Sequence, residues 1–185
     1  MRKLKLQVQM SVDGFIAGPN GEMDWMVWDW DDTLKKYVSD LTDPVDTILL
    51  GRKLAEGFID AWQANISIPE MADFAHKMID SPKIVFSNTM KTCDWINTEI
   101  AQRELVEEVT ALKNKPGSDI IAYGGASFGA SLIQHGLIDE FHLFINPVAI
   151  GAGMPIFNKL EGYQKLNLVK ATPFDCGITV LQYIK

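Results

Sequence analysis

The sequence predicts an α/β domain on a mostly parallel β-sheet, and three observations carry that prediction. Short strand-type apolar runs alternate with segments of helical character through most of the chain. Several runs are apolar at consecutive positions, as expected of strands covered on both faces. The last two, Leu166 to Thr172 and Ile178 to Ile184, are spaced to pair as a hairpin, which adds antiparallel strands at the C-terminus.

In order, Leu4, Leu6, Val8, Met10 and Val12 alternate with polar neighbours and predict a first strand that stops at Asp13-Gly14. Phe15-Ile16-Ala17 is a short apolar stretch ahead of the turn signal Gly18-Pro19-Asn20-Gly21. An aromatic and acidic segment follows, with Asp24, Trp25, Trp28, Asp29, Trp30, Asp31 and Asp32. Thr33 to Leu41 predicts a helix, its dipole favouring acids near the start. Thr47 to Leu50 is a strand ending at Gly51-Arg52-Lys53, and Pro69 opens a helix through Ile79. Lys83 to Ser87 is a short buried strand. Thr98 to Lys113 predicts one helix, with Ile100, Leu105, Val109 and Leu112 on one face and Pro116-Gly117 as its stop. Asp119 to Tyr123 is a strand running into Gly124-Gly125-Ala126-Ser127, then a helix to His135 closed by Gly136. Glu140 to Pro147 is a strand with apolar groups on both faces, which suits a buried strand or a dimer seam.

Composition bounds the function. At 185 residues, 47% hydrophobic and 22% charged, the chain matches one soluble globular domain spanning 1–185, with no linker or repeat. The net charge of −7 argues against general binding to nucleic acid or anionic membranes. Cys93 and Cys176 form no CxxC pair, and no apolar run is long enough for a transmembrane helix. The first residues alternate and lack a signal-peptide block, so a cytoplasmic protein is expected. His76, His135 and His142 lack metal-ligand spacing, and Ser11 and Ser127 lack the surroundings of a nucleophile elbow.

In open α/β sheets, ligands bind at the carboxyl ends of strands. Three such ends carry small or phosphate-friendly residues: Gly51-Arg52-Lys53, Ser87-Asn88-Thr89 and Gly124-Gly125-Ala126-Ser127. Glycine removes the Cβ that would hold back a pyrophosphate, and a helix starting after Gly125 would offer unpaired N–H groups to it. Arg52 and Lys53 would add charge-assisted contacts to a ribose phosphate, favouring NADPH over NADH. The plainer reading makes Gly124-Gly125 a tight turn and Gly51 a strand terminator.

These motifs carry a resemblance. Ser11-Val12-Asp13-Gly14-Phe15-Ile16-Ala17, Asp24-Trp25, Gly51-Arg52-Lys53, Val85-Phe86-Ser87 and Tyr123-Gly124-Gly125-Ala126-Ser127 stand in the order seen in dihydrofolate-reductase-like proteins. The block from Leu137 to Leu143, with Asn146-Pro147 and Gly151-Ala152-Gly153, resembles the branch named for the reductase domain of the bifunctional riboflavin-biosynthesis deaminase-reductase. The resemblance spans nearly the whole chain. It implies a three-layer α/β sandwich, a mostly parallel central sheet with an antiparallel C-terminal strand, NADPH as hydride donor, and a homodimer. It also implies that Ile16 and Ala17 face the nicotinamide carboxamide, and that Gly51, Arg52 and Lys53 hold phosphates. Ser87 would lie near the adenosine ribose, Gly124, Gly125, Ala126 and Ser127 would cradle the pyrophosphate, and residues 18–22 would match a loop that closes over the nicotinamide.

Reduction of a C=N or C=O group also needs a proton on the heteroatom, which a partly desolvated carboxyl can supply. In true dihydrofolate reductases an acid follows shortly after the tryptophan that Trp25 resembles. Asp32 is the expected acid here, with an ordered water as its alternative, although a solvated helix start also explains Asp29, Asp31 and Asp32. Trp25 is kept as a substrate-binding residue, whereas Trp28, Trp30 and Trp62 read first as packing. The expected function is an NADPH-dependent reductase of a small pterin- or pyrimidine-like heterocycle. Its rivals are the 5-amino-6-(5-phosphoribosylamino)uracil reductase of riboflavin biosynthesis, a true dihydrofolate reductase, and an NADPH-binding protein without turnover.

Overall fold

The computed structural model describes all of residues 1–185. In chain order the elements are β1 (Leu4–Met10), α1 (Asp32–Thr42), β2 (Val45–Gly51), α2 (Arg52–Asn65), α3 (Pro69–Asp80), β3 (Lys83–Phe86) and β4 (Thr98–Ile100). They continue with α4 (Leu105–Asn114), β5 (Asp119–Tyr123), α5 (Ala126–Gln134), β6 (Glu140–Ile145), β7 (Asn167–Pro173) and β8 (Thr179–Ile184). No helix is long and apolar enough to cross a membrane.

The strands form one eight-stranded sheet in the order β4-β3-β2-β5-β1-β6-β8-β7. All pairs from β4 to β6 are parallel; β8 runs antiparallel to β6, and β7 antiparallel to β8. One face carries α1, α2 and α3, whose Leu34, Val38, Phe58, Ile59 and Met78 pack on Ile48, Leu50 and Ile121. The other carries α4 and α5, whose Val109, Leu112, Leu132 and Ile133 pack on Leu4, Leu6, Val8 and Ile120. The sandwich therefore has three layers.

β1 lies inside the sheet, so its polar residues are covered as well: Lys5 and Gln7 are buried beneath the α1 face. Burying an ammonium is costly unless it is paired. Lys5 meets Asp119 at 2.9 Å, and the N-terminal ends of the strands are closed by the pairs Arg2–Asp46, Lys3–Glu140 and Lys113–Asp139.

The structure divides the helix expected over Thr98 to Lys113. Thr98–Ile100 pairs with Lys83–Val85 as β4, and the helix starts only at Leu105. Ile100 packs in the core on the α1 side of the sheet, while Val109 and Leu112 enter the opposite core, so their shared periodicity was coincidental. A 14-residue helix, α2, follows β2 without a break where the sequence suggested only a strand end. β6 is paired on both edges and buried, which makes it an interior strand and not a dimer seam.

Candidate functional site

β2 leaves the sheet through α2 towards β3, and β5 leaves through α5 towards β6, on the opposite face and in the opposite direction. The two strands are neighbours, so their carboxyl ends flank the point where strand order reverses. Open α/β sheets bind ligands at such a point. Two surface depressions lie elsewhere, of about 240 Å³ beside Lys91, Thr92 and Gln102 and about 250 Å³ beside Gln134, Lys159 and Glu161. Neither gathers glycines and helix-terminal amides, which makes the crevice the candidate site.

Gly51 is the N-cap of α2 and Gly125 the N-cap of α5, and no side chain caps either helix. The first-turn N–H groups of both helices, with the positive ends of their dipoles, thus lie at the carboxyl ends of two adjacent strands. A Cβ on Gly51 would stand 2.8 Å from the Cβ of Phe128, so glycine is what lets α5 approach the start of α2. Gly125 has φ +122°, a conformation that side chains disfavour. A Cβ on Gly124 would come to 3.0 Å from Val8 Cγ1 and 3.8 Å from Ile16 Cδ1, so Gly124 packs on apolar core side chains. Ala126 and Ser127 form the first turn of α5.

Arg52 opens α2 and forms an ion pair with Glu56 one turn along; Lys53 is exposed. Ser87 follows β3, and its hydroxyl accepts the Met90 N–H at 2.8 Å and the Thr89 N–H at 3.2 Å, closing a local turn. Gly51, Arg52, Lys53, Ser87 and Gly124 to Ser127 therefore share the carboxyl edge of three adjacent strands.

The segment after β1 is pinned. The Ser11 hydroxyl accepts the Phe15 N–H at 3.0 Å, and the Asp13 carboxylate accepts the N–H groups of Ile150 at 3.1 Å and Gly151 at 2.7 Å. Hydrogen bonding to the Asp13 carboxyl from the Ser11 side chain first, then from the Gly151 and Ile150 N–H groups, holds it below its ordinary pKa. Ile16 N–H donates to Met154 at 3.0 Å, and Met154 N–H donates to the Ala17 carbonyl at 2.8 Å. Two backbone groups of the Ile16–Ala17 pair are thus engaged, leaving the Ile16 carbonyl and Ala17 N–H outside this pairing. Residues 18–22 close on themselves, with Asn20 donating to the Glu22 carboxylate from its backbone at 2.9 Å and its amide at 2.7 Å.

Residues 23–31 cross the carboxyl ends of β1 and β6. Asn146, fully buried, accepts the Val27 N–H at 2.8 Å while its amide donates to Gln9 Oε1 at 2.8 Å. Trp25 is half-buried with its indole N–H on the Glu22 carbonyl at 3.2 Å, whereas Trp28 is 62% exposed. Asp31 caps α1, accepting the N–H groups of Thr33 and Leu34, both at 2.9 Å, and that of Cys176 at 3.0 Å. Hydrogen bonding from Thr33, then from Leu34, lowers its pKa far below the usual carboxylate range. Asp32 points into solvent with Lys35 at 3.7 Å, and nothing there desolvates it as a proton donor would require.

Beneath α1, the Tyr37 hydroxyl lies 2.7 Å from Nδ1 of buried His142, whose Nε2 is 3.6 Å from Glu140. His142 and then Lys3 hold the Glu140 carboxyl down to about 2, against a smaller upward push from burial; burial lifts the Tyr37 hydroxyl to about 12. Sequence reasoning assigned no role to this polar layer or to Asn146. The available signal for Asn146 was a polar residue closing an apolar strand ahead of proline.

The family described as the RibD C-terminal domain matches residues 2–180. Two proteins of Bacillus subtilis (strain 168) are similar over their lengths, and both are called uncharacterized. YyaP is 37% identical, covering 98% of this chain and 94% of its own, and YwjB is 29% identical, covering 100% and 98%. A putative riboflavin biosynthesis protein from Shewanella sp. PV-4 superposes with TM-score 0.72 at 21% identity, covering 100% of this chain and 98% of its own. A Thermotoga maritima diaminohydroxyphosphoribosylaminopyrimidine deaminase/5-amino-6-(5-phosphoribosylamino)uracil reductase gives 0.70 at 15%, covering 99% and 56%. Dihydrofolate reductase from Enterococcus faecalis gives 0.62 at 17%, covering 98% and 95%. At these identities the structural likenesses establish the dihydrofolate-reductase-like fold.

Proposed function

The chain belongs to the RibD C-terminal domain family, and on that footing we propose that it is an NADPH-dependent reductase of a small pyrimidine-like heterocycle. The observation that carries this reading is the pair of glycine-capped helix starts, α2 and α5, at the carboxyl ends of adjacent strands, with Arg52 and Lys53 opening α2. Two uncapped helix starts suit a pyrophosphate, and the basic pair suits a further phosphate on the ribose. A polymer or membrane partner is poorly matched by a net charge of −7.

Bound NADPH would supply hydride to an electrophilic carbon of the substrate. The chain's part is to hold and orient. Gly51, Gly124 and Gly125 give close backbone approach; Arg52 and Lys53 counter phosphate charge. Buried Val8 and Ile16 would back the cofactor at Gly124 with apolar surface. The Asn146-held segment with Trp25 lies over the neighbouring strand ends. The proton for the heteroatom comes through water, because Asp31 is committed to capping and Asp32 stands in bulk solvent.

The pyrimidine class is favoured over dihydrofolate by family membership and by the lack of a free, desolvated carboxyl after Trp25. The activity printed for the Thermotoga protein, reduction of a phosphoribosylamino-uracil, is the specific form of this reading to test first. The assay follows NADPH oxidation with that substrate and with dihydrofolate, alongside tryptophan emission and melting temperature during NADPH titration. Oxidation with the uracil alone is expected. Binding without oxidation of either points to a non-catalytic nucleotide-binding protein, and no response at millimolar NADPH removes the cofactor and with it the reading.

A further inference from the structure

We propose that the outward face of Trp28 is the platform on which the planar ring of the substrate stacks. The Trp28 and Trp30 rings are stacked with centroids 6.2 Å apart and planes 24° from parallel, and Trp30 stacks on Phe144 at 6.3 Å and 29°. This three-ring column starts at fully buried Phe144 and ends at Trp28, which is 62% exposed. Trp30 is the one ring stacked on Trp28, so the rest of the exposed indole has no aromatic partner.

The column is held in place before any ligand arrives. The Trp30 indole N–H donates to the Val27 carbonyl at 2.8 Å, and the Val27 N–H is taken by buried Asn146. Beyond Trp30, Asp31 ties the segment to Cys176. Two anchors and a buried foot fix the plane of an exposed indole, which removes most of the ordering cost of binding a flat ring. The ledge stands at the carboxyl edge of the same sheet, since Asn146, which holds Val27, donates its N–H to the Met10 carbonyl at the end of β1. β1 adjoins β5, the strand that leads into Gly124 and Gly125.

Charge selects the ring. Asp24, Asp29 and Asp32 are exposed within four residues of Trp28 along the chain, and an indole face is itself electron-rich. Both favour a planar heterocycle bearing N–H donors, such as an aminopyrimidine or a pterin, and oppose a phosphate at this spot. The ring class rests on the reductase reading above, whereas the stacking face rests on the column alone.

The test is calorimetric titration of 5,6-diaminouracil and of pterin into the wild type and into Trp28→Ala, Trp28→Phe and Tyr163→Ala, with and without NADPH. Tyr163, 89% exposed and unconnected with the column, is the control. Wild type is expected to bind at least one probe. Trp28→Ala should weaken binding about ten-fold or more, in line with losses on removing a stacking aromatic. Trp28→Phe should stay within about three-fold, and Tyr163→Ala should match wild type. NADPH affinity and melting temperature are expected to hold in all four proteins. No probe binding by wild type, or equal binding by Trp28→Ala, overturns the platform. Trp28-dependent probe binding without any NADPH binding keeps it and discards the cofactor.

Discussion

Arg52 shows how one side chain could set cofactor preference. Its guanidinium is held by Glu56 one helical turn away, with both groups more than a third exposed. An exposed i,i+4 pair contributes only about 0.2–0.5 kcal/mol, so the ribose 2′-phosphate of the proposed cofactor, with greater charge, would displace Glu56 readily. Arg52→Ala is therefore expected to weaken NADPH about ten-fold or more and NADH by less than about three-fold, since charge-assisted hydrogen bonds are worth about 1.5–3 kcal/mol. Glu56→Gln should tighten NADPH a few-fold by releasing the guanidinium. Fluorescence titration with both cofactors decides; equal losses for NADPH and NADH in Arg52→Ala would take Arg52 off the phosphate. Asp32→Asn should leave turnover unchanged in a steady-state assay, and a fall of more than about ten-fold would return the proton-donor role to that carboxylate. Gly51-Arg52-Lys53 was legible in sequence as a strand end. Glu56 was not, because its meaning depends on the helix that follows.

At the scale of elements, legibility followed the strength of local signals. β1, β5 and the terminal hairpin were read from apolar patterning and turn residues, and α3 from Pro69 at its first position. α2 escaped because glycine caps it without the serine, threonine, aspartate or asparagine that usually marks a helix start. β4 escaped because three residues are too few for a period, and pairing with β3 decides their state. The segment 23–31 has no regular structure, so its course was beyond sequence reasoning; Asn146 determines it from the end of β6. Asn146→Ala would leave the Val27 N–H and Gln9 Oε1 without their partner. Both bonds are part-buried, so each stranded group costs near the lower end of about 1–3 kcal/mol. For a chain of this length that corresponds to a fall of roughly 5–10 °C in melting temperature. Loss of Asn146 should also free Trp28, so its exposed indole becomes more accessible to iodide quenching. A melt and quenching curve identical to wild type would mean that Asn146 holds nothing.

For the whole molecule, both cores pack on one sheet, and we expect residues 1–185 to unfold in a single transition. One open edge of that sheet is β7, where Leu168 and Val169 are exposed. Edge strands with exposed apolar groups invite pairing. If the chain is a homodimer this is the seam, and Val169→Lys should shift its sedimentation to that of a monomer. The opposite requirement, holding the strand starts together, falls to the ion pairs around β1, and it makes stability depend on pH. Glu140, buried beside His142 and Lys3, has its carboxyl held at about 2 in the fold against an ordinary value of 4.5. Between those values the unfolded chain takes up a proton that the folded chain refuses, so the contribution is complete above about pH 4.5 and drains away as pH falls towards 2. Linkage puts the loss between pH 7 and pH 3 at about 2 kcal/mol. Glu140→Gln cannot titrate, so its urea-unfolding free energies at pH 7 and pH 3 should differ by about 2 kcal/mol less than those of wild type. Exposed Asp13 and Glu22 push in the same acid-sensitive direction and remain in both proteins, so they cancel in that comparison. An unchanged difference would show that the Lys3–Glu140–His142 cluster carries no part of the acid sensitivity.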